Sequence, residues 1–565
     1  MMALQGVEIE KKYEVGEEAV VPPLAGLPGV ARVGDPHVAA LEAVYFDTES
    51  YVLASRRITL RRRTGGADAG WHLKLPPESP GGDRGAAGSD SGGSAAGPGS
   101  DAGSEPQQRR ELHAPLGQPG VVPDALLAHL QAYLRGAELV PVARLETQRT
   151  THALYDADGV HLADLADDKV HAQPLLRPKP AGVEPAREEP EAEDPDGEEP
   201  KGDGQAGDRS QHWREWELEL VHGSSDIFAA AEEVLAAAGA RPAGHGSKLA
   251  RALQDTIRET RGREPQASEP DKKSPASAVV TAYLGAQIRE ILAHDSGVRL
   301  EEPEAVHNLR AATRRARSAL AAYRRHYSAV AVRRLQEELK WLGRTLGVPR
   351  DAEVMLERLR GHLAELPEGP AATAVKDRVE QELGGTFDDG YRKVMDVLAS
   401  ERYFRLLDDL EAFRDSPPLR PEGAVSGRKV GGKLVAKAVK RLRRSQKAAK
   451  GARRGAQHES ALHQVRKDAK RLRHVAESLG PVSGKRAAKV AKAAHRQQKI
   501  LGEFRDSILA RDLLGKLGGV PDLPEPVASL FVELRTRQVE LAADAESKYR
   551  KARKKSQKRL KAGVH

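Results

Sequence analysis

The sequence predicts two halves of different fold class: an α+β N-terminal half built on antiparallel strands, and an all-α C-terminal half. Three observations carry this. Apolar and charged residues alternate with a period of two through the N-terminal half, as half-buried strands do. Beyond Pro275 strand signals vanish and the apolar period lengthens to that of helices. Charge divides in the same way: residues 1–225 hold 22 Lys and Arg against 38 Asp and Glu, and the remaining 340 hold 68 against 44. An acidic half joined to a basic half implies two jobs, and the basic half expects a polyanion.

The length of 565 residues allows several domains, and 39% hydrophobic residues suffice for real cores. There is no cysteine, which excludes disulfides, thiolate zinc sites and a cysteine nucleophile. The N-terminus lacks the basic and apolar regions of a signal peptide, and no run reaches the ~18–20 apolar residues of a membrane span. A cytoplasmic protein without membrane partners is expected.

The first strand, Val7 to Tyr13, puts Glu8, Glu10 and Lys12 on one face. Two carboxylates and an ammonium together suit a hard divalent cation that itself grips an anion. Pro22 to Pro36 is a connection, and His37 to Phe46 reads as helical at its start and strand at its end. After YFDT (Tyr45 to Thr48), alternation in RRITLRRR aligns Arg61 and Arg63, and in WHLKL it aligns His72 and Lys74. A Gly-rich turn at Thr64 to Gly70 joins the two as a hairpin. Residues 76–106 are a flexible insertion. Strands resume at Gln108 to His113 with Arg109 and Glu111, at Val140 to Thr151 with Arg144 and Arg149, and at Val160 to Val170 with Asp164 and Asp168. A helix at Pro123 to Leu134 precedes the last two. A second insertion, acidic and Pro-rich, covers residues 174–210. The strand Trp213 to Val221 then aligns Glu215, Glu217 and Glu219. A helix around Ser225 to Ala238 leads to a GSK segment with Lys248. On an open sheet such polar faces would be solvated. Inside a closed barrel they persist only if counter-charges meet them.

EIEKK (Glu8 to Lys12), YFDT, LRRR, WHLKLP, the Arg109/Glu111 pair and WELEL (Trp216 to Leu220) stand in the order of the CYTH, or triphosphate tunnel metalloenzyme, superfamily, which residues 5–253 resemble. The resemblance implies an eight-stranded antiparallel tunnel with flanking helices that hydrolyses or cyclises a triphosphate with Mg²⁺ or Mn²⁺. It implies Glu8, Glu10 and Lys12 as the catalytic group, and Glu8, Glu10, Glu217 and Glu219 as metal carboxylates, with Asp164 and Asp168 joining them. Lys12, Arg61, Arg63, Lys74, Arg109 and Arg149 take the phosphate-binding roles, and Arg144 and Lys248 are further candidates. One departure stands out: Glu146 and Gln148 share the face of Arg144, where further basic residues are expected.

A polar, proline-punctuated linker covers residues 254–275, and helices such as Ala276 to His294, Glu304 to Tyr323 and Val330 to Leu346 follow. Residues 276–547 contain an internal repeat. HNLRAATRRAR (His307 to Arg317) matches HQVRKDAKRLR (His463 to Arg473), and LGVPRD (Leu346 to Asp351) matches LGEFRD (Leu501 to Asp506). On helices, His307, Arg310, Arg314 and Arg317 form one stripe, and His463, Arg466, Lys470 and Arg473 form its copy. This half resembles the CHAD domain, the conserved-histidine α-helical domain. The resemblance implies a duplicated helical bundle that binds inorganic polyphosphate through both stripes, with Arg350 and Arg505 added, and a place beside polyphosphate granules. The Asp after each of these two arginines is expected to hold a neighbouring cation. The terminal stretch, 548–565, reads as a frayed basic tail.

The expected function is metal-dependent hydrolysis of inorganic triphosphate or short polyphosphate in the tunnel, with the helical domain binding longer polyphosphate. Two alternatives fit the same residues: a non-enzymatic polyphosphate-binding scaffold, and a tunnel enzyme acting on thiamine triphosphate or on ATP as an adenylate cyclase. No specific nucleic-acid partner is expected, because the basic helices lack stacking aromatics and no reader motif or Walker glycine pattern occurs.

Overall fold

The computed structural model describes residues 4–76, 105–176, 210–254, 270–421 and 425–562, in two compact units that divide between Pro265 and Gln266. The two insertions and most of the linker lie outside the described residues.

In the first unit the alternating segments pair antiparallel round a closed circuit. The strands are β1 (Leu4–Val15), β2 (Arg32–Val33), β3 (His37–Asp47), β4 (Thr59–Thr64), β5 (Gly70–Leu75), β6 (Gln107–Ala114), β7 (Val140–Tyr155), β8 (His161–Pro174), β9 (Gln211–Leu220) and β10 (Arg241–Pro242). The eight long ones run β1-β6-β5-β4-β3-β7-β8-β9, and β9 pairs back onto β1, which closes the barrel. The two-residue strands β2 and β10 sit against β7 and β1. β3 is a strand along its whole length, not a helix at its start. Pairing with both β4 and β7 overrides the helical preference of its Ala and Glu residues.

Register puts the charged residues opposite one another inside. Glu8 faces Arg109, Glu10 faces Glu219, Lys12 faces Glu217, and Lys74 faces Glu111 across neighbouring strands. Arg149 faces Asp168, which faces Glu215. The apolar half of the alternation therefore points outward and needs cover. Helix α2 (Asp124–Leu134) supplies Leu126, Leu130 and Leu134 over Leu60, Trp71, Leu73 and Leu112. Helix α3 (Asp226–Ala237) supplies Ile227, Phe228, Ala231 and Leu235 over Tyr13, Leu165, Trp216 and Leu218. Each buried large side chain of this kind is worth roughly 1.5–3 kcal/mol relative to exposure, so the two helices are what make a polar-lined barrel stable.

Two local devices position the site. After β3 the buried Asp47 carboxylate accepts the backbone N–H groups of Thr48 (2.7 Å), Leu53 (2.8 Å) and Ala54 (2.8 Å), fixing the short helix α1 (Val52–Ser55). The acid of YFDT is thus spent on a turn. After α3, the Ser247 hydroxyl accepts the Ala250 N–H at 3.0 Å and starts α4 (Lys248–Ala252). Leu249, Ala252 and Leu253 pack on the inward-facing Tyr45, Leu145, Val170 and Trp213, so α4 enters the barrel and carries Lys248 with it.

The second unit is helical: α5 (Ala276–Arg299), α6 (Ala305–Tyr323), α7 (Ala329–Thr345), α8 (Gly347–Leu363), α9 (Pro370–Leu398), α10 (Glu401–Asp415), α11 (Gly427–Gly451), α12 (Ala456–Glu477), α13 (Gly480–Gly518) and α14 (Glu525–Ala562). The repeat is visible in this order, with α5 and α6 answered by α11 and α12. α7 and α8 become the single α13. Pro349 lies in the first turn of α8, where its missing N–H is harmless, whereas Phe504 of LGEFRD continues the helix. The terminal stretch expected to fray belongs to α14 up to Ala562. Tyr549, Ala552 and Leu560 are buried there, so the apolar stripe holds this stretch as helix.

Candidate active site

Glu8, Glu10, Lys12, Arg61, Arg63, Lys74, Arg109, Arg149, Glu217, Glu219 and Lys248 line one pocket inside the barrel. The pocket has two zones with opposite character.

In the deeper zone the carboxylates are saturated. Asp168, Glu215 and Glu217 bring oxygen atoms within 4.8 Å of one another, close enough to hold a cation. The cation they hold is the Lys248 ammonium, at 2.8, 2.8 and 2.6 Å respectively. Arg149 grips Asp168 with two bonds of 2.8 and 2.6 Å and also reaches Glu217 at 2.6 Å. Lys12 donates to Glu217 as well. Burial works against charge at Asp168 and Glu217. Lys248 and Arg149 outweigh it at Asp168, and Lys12 and Lys248 do so at Glu217, holding both carboxyls below their ordinary range.

In the second zone the carboxylates are half-used. Lys74 holds one oxygen of Glu8 at 2.5 Å and Lys12 holds one oxygen of Glu10 at 2.6 Å. The other oxygens, Glu8 Oε2 and Glu10 Oε1, are buried without a hydrogen-bond partner. Glu219, across from Glu10, has its carboxyl pushed up to about 7 by burial and then by Glu8, with Glu10 and Glu217 adding and Lys74 opposing. Glu8, Glu10 and Glu219 line one pocket and offer oxygen donors of the kind a divalent cation takes, although among the described residues only Asp168, Glu215 and Glu217 bring carboxylate oxygens within 4.8 Å of one another. The Glu8, Glu10 and Glu219 carboxylates would hold it. Glu217, expected as a ligand, already has both oxygens occupied by side-chain cations.

Around this zone stand cations short of partners. Arg61 reaches Tyr45 Oη at 3.4 Å and Arg63 pairs with Asp68 of the hairpin turn, while the Nε of each is buried and unpartnered. Burial, then Arg61 and Arg149, push the Arg63 guanidinium down to about 9, which marks a spot wanting negative charge. Arg109 is steadied by Gln107 Oε1 (3.0 Å) and the Gly246 carbonyl. Beside them His72 lies 3.0 Å from Glu111. Burial lowers its imidazole to about 4, with Arg61 and Arg63 adding and the Glu111 contact opposing.

Two expected members sit elsewhere. Arg144 is on the outer face, 47% exposed, and paired with Glu42 at 2.6 Å. Positions 144 and 149 differ by an odd number, so one strand cannot point both inward, and Leu145 and Ala143 take the inward side with Arg149. Glu146 and Gln148 go outside with Arg144, so their lack of positive charge does not touch the pocket. Asp164 shares the parity of Asp168 but lies about 13 Å further along the strand; it pairs with His161 at 2.8 Å and is 30% exposed. Sequence reading missed Asp68, Tyr45 and the grip of Lys248 on Asp168 and Glu215. Only Tyr45 had a signal, its odd-numbered register with the inward face of β3. We expect Arg144→Ala to leave pocket chemistry within about twofold of wild type, since an exposed ion pair contributes little; steady-state rates on the variant check this.

In the helical unit the two stripes meet. α6 and α12 pack together, and Arg310, Arg314 and Arg317 lie near Arg466, Lys470 and Arg473. Asp351 accepts from Arg310 at 2.8 Å, and Asp506 lies beside Arg466, so each repeat's Asp steadies the same arginine of its stripe. Arg350 differs from expectation. It is buried, with Nη1 bonded to Glu304 (2.9 Å) and Glu353 (2.8 Å) and its Nε unpartnered. Arg505 sits near His463, whose imidazole is lowered to about 4 by burial, Lys467 and Arg505. His307 is exposed at the start of its stripe. No helix among the described residues is long and apolar enough to cross a membrane.

The family model of the CHAD domain matches residues 282–515. Two uncharacterized proteins of Mycobacterium tuberculosis, from strains CDC 1551 / Oshkosh and ATCC 25618 / H37Rv, are each 36% identical over 516 residues, spanning 90% of this chain and 88% of theirs. Among solved structures, PptA from Streptomyces chartreusis is 21% identical with a TM-score of 0.43, covering 50% of this chain and 100% of its own. The CHAD domain from the plant Ricinus communis is 25% identical with a TM-score of 0.40, covering 53% and 95%. A putative adenylate cyclase from Bacillus halodurans is 16% identical with a TM-score of 0.23, covering 44% and 97%.

Proposed function

The chain belongs to the family of the two mycobacterial proteins and carries a CHAD domain, and from that premise we propose that its closed barrel is of CYTH type and hydrolyses inorganic triphosphate or short polyphosphate with Mg²⁺ or Mn²⁺ while the helical unit binds longer polyphosphate. One observation carries the reading: a single buried pocket offers orphaned acceptors, Glu8 Oε2 and Glu10 Oε1, beside orphaned donors, Arg61 Nε and Arg63 Nε. Acceptors without donors want a cation, donors without acceptors want an anion, and a metal–phosphate pair satisfies both.

A divalent cation bound there would polarise a phosphoryl oxygen and neutralise the charge gathering on the transferred group. The chain's own residues do the rest. Lys74 and Lys12 each pin one oxygen of Glu8 and Glu10 and so aim the other. Arg61, Arg63 and Arg109 fix the phosphates in line, which is most of what phosphoryl transfer asks of a protein. Lys248 and Arg149 neutralise the deeper carboxylates, so the wall behind the substrate does not repel it.

The test is a comparison of kcat/KM for tripolyphosphate, thiamine triphosphate and ATP with the full chain. The account expects tripolyphosphate to lead by at least about tenfold, because the pocket supplies charged groups for phosphates and, among the described residues, no apolar slot for a base or thiazole. A lead for ATP with formation of cyclic AMP would replace the hydrolase reading by a cyclase. In the helical unit, reversing Arg310 and Arg466 to glutamate together should weaken retention of long polyphosphate by at least about tenfold and flatten its salt dependence, as lost counterion release requires. Unchanged retention on a polyphosphate column across a salt gradient would remove the stripes as the binding surface.

A further inference from the structure

The following rests on the polyphosphate reading of the helical unit. Arg314 and Lys470 occupy equivalent places in the duplication, seven residues after His307 and His463. The exchange changes the chemistry: a guanidinium keeps its proton in any protein setting, whereas a compact ammonium gives it up when desolvated among like charges. Lys470 is in that setting. Burial pushes its ammonium down to about 6, and Arg310, Arg314 and Arg317, facing it from α6, and Arg466 of its own helix add to the shift.

Other charged groups nearby are engaged or neutral. Asp351 of α8 is held by Arg310, and Asp468 of α12 by Arg441 of α11 and by Arg471. From α13, Asp506 lies against Arg466 and His495 accepts from Arg473. His474 is driven down to about 2 by burial, Lys470 and Arg314, so it does not compete for a proton. Among the described residues no carboxylate pairs with Lys470 or Arg314, and the Nε atoms of Arg314 and Arg466 are buried without partners. At the crossing of α6 and α12, Arg314 and Lys470 therefore stand among cations without a carboxylate of their own among the described residues.

We propose that this crossing is an oxyanion subsite, in which one phosphate group of bound polyphosphate seats between Arg314, Arg466 and Lys470 and the Lys470 amine takes up one proton from solvent as it binds. The phosphate offsets the burial and the repulsion that together lower the ammonium, and the restored ammonium donates a charge-assisted hydrogen bond to it. The sign follows. The bound complex holds the proton more tightly than the free protein, so affinity is greatest below the free amine's value. It falls by up to about tenfold per pH unit as pH rises above that value.

The test is calorimetric titration of inorganic polyphosphate into the full chain with EDTA present, at pH 7.4, in two buffers of different ionisation enthalpy. For the wild type the apparent enthalpies should differ by about one proton's worth of buffer ionisation. Lys470→Arg, which copies the first repeat, should bind within about threefold of wild type with little buffer dependence, since arginine never released its proton. Lys470→Met should bind at least about tenfold more weakly, having lost a charge-assisted donor. Equal proton uptake by the wild type and Lys470→Arg would overturn this inference and leave polyphosphate binding standing. No binding by any form would overturn the polyphosphate reading and this inference with it.

Discussion

Glu10→Gln is expected to lower metal-dependent release of phosphate from tripolyphosphate by about 10³-fold, the scale of removing one preorganised electrostatic contact from an enclosed site. The fold should survive. Glutamine keeps the shape and can still accept from Lys12, but its neutral amide no longer balances a divalent cation, and the orphaned Glu10 Oε1 is the atom whose role is lost. Tripolyphosphate should still bind through Arg61, Arg63 and Arg109, so KM moves less than kcat. A variant that unfolds instead would make Glu10 a structural residue, and unchanged turnover would remove it from the site.

Lys248→Met is expected to destabilise the barrel by about 3–5 kcal/mol, the cost of taking one partner out of a buried ionic group. The ammonium is 8% exposed and touches three carboxylates. Without it Asp168 keeps Arg149, and Glu217 keeps Lys12 and Arg149. Glu215 is left with the Trp213 indole N–H at 2.7 Å and a distant His245. Burial opposes charge at Asp168 and Glu217 and the cations outweigh it, so the folded carboxyls ionise below their unfolded values. Their stabilisation is complete above the ordinary carboxylate range near about 4 and disappears as pH falls through the depressed values. The deficit of the variant should therefore be full at pH 7 and shrink in acid. Urea titration followed by tryptophan fluorescence measures it, since Trp71, Trp213 and Trp216 all lie in the barrel. A loss below about 1 kcal/mol would mean that the deep carboxylates are screened by water.

Much of the pocket was legible because strand alternation is a rigid rule. Glu8, Glu10 and Lys12 share a face by parity alone, as do Arg61 with Arg63 and Glu217 with Glu219, and closure of the sheet turned those faces inward. The same rule, applied strictly, separates Arg144 from Arg149. Distance along a strand was less legible. Asp164 and Asp168 have one parity, yet they lie several residues apart on a long strand, and only the second meets the pocket's cations Arg149 and Lys248. The role of Lys248 could not be read from sequence, because its three partners come from β8 and β9 and meet it only through the entry of α4. In the helical unit the repeat exposed the stripes and the matching Asp351 and Asp506. It did not reveal that Arg350 is turned toward Glu304 and Glu353, because the second repeat has Ile508 where the first has Glu353.

The most direct measurement of the central claim is phosphate release from tripolyphosphate by the full chain, wild type beside Glu10→Gln, with Mg²⁺, with Mn²⁺ and with EDTA. The account predicts release by the wild type with at least one metal, its abolition by EDTA, and its loss in Glu10→Gln. Wild-type protein that is folded and loaded with either metal, yet releases no phosphate, would contradict it and leave the basic helical unit as the functional one.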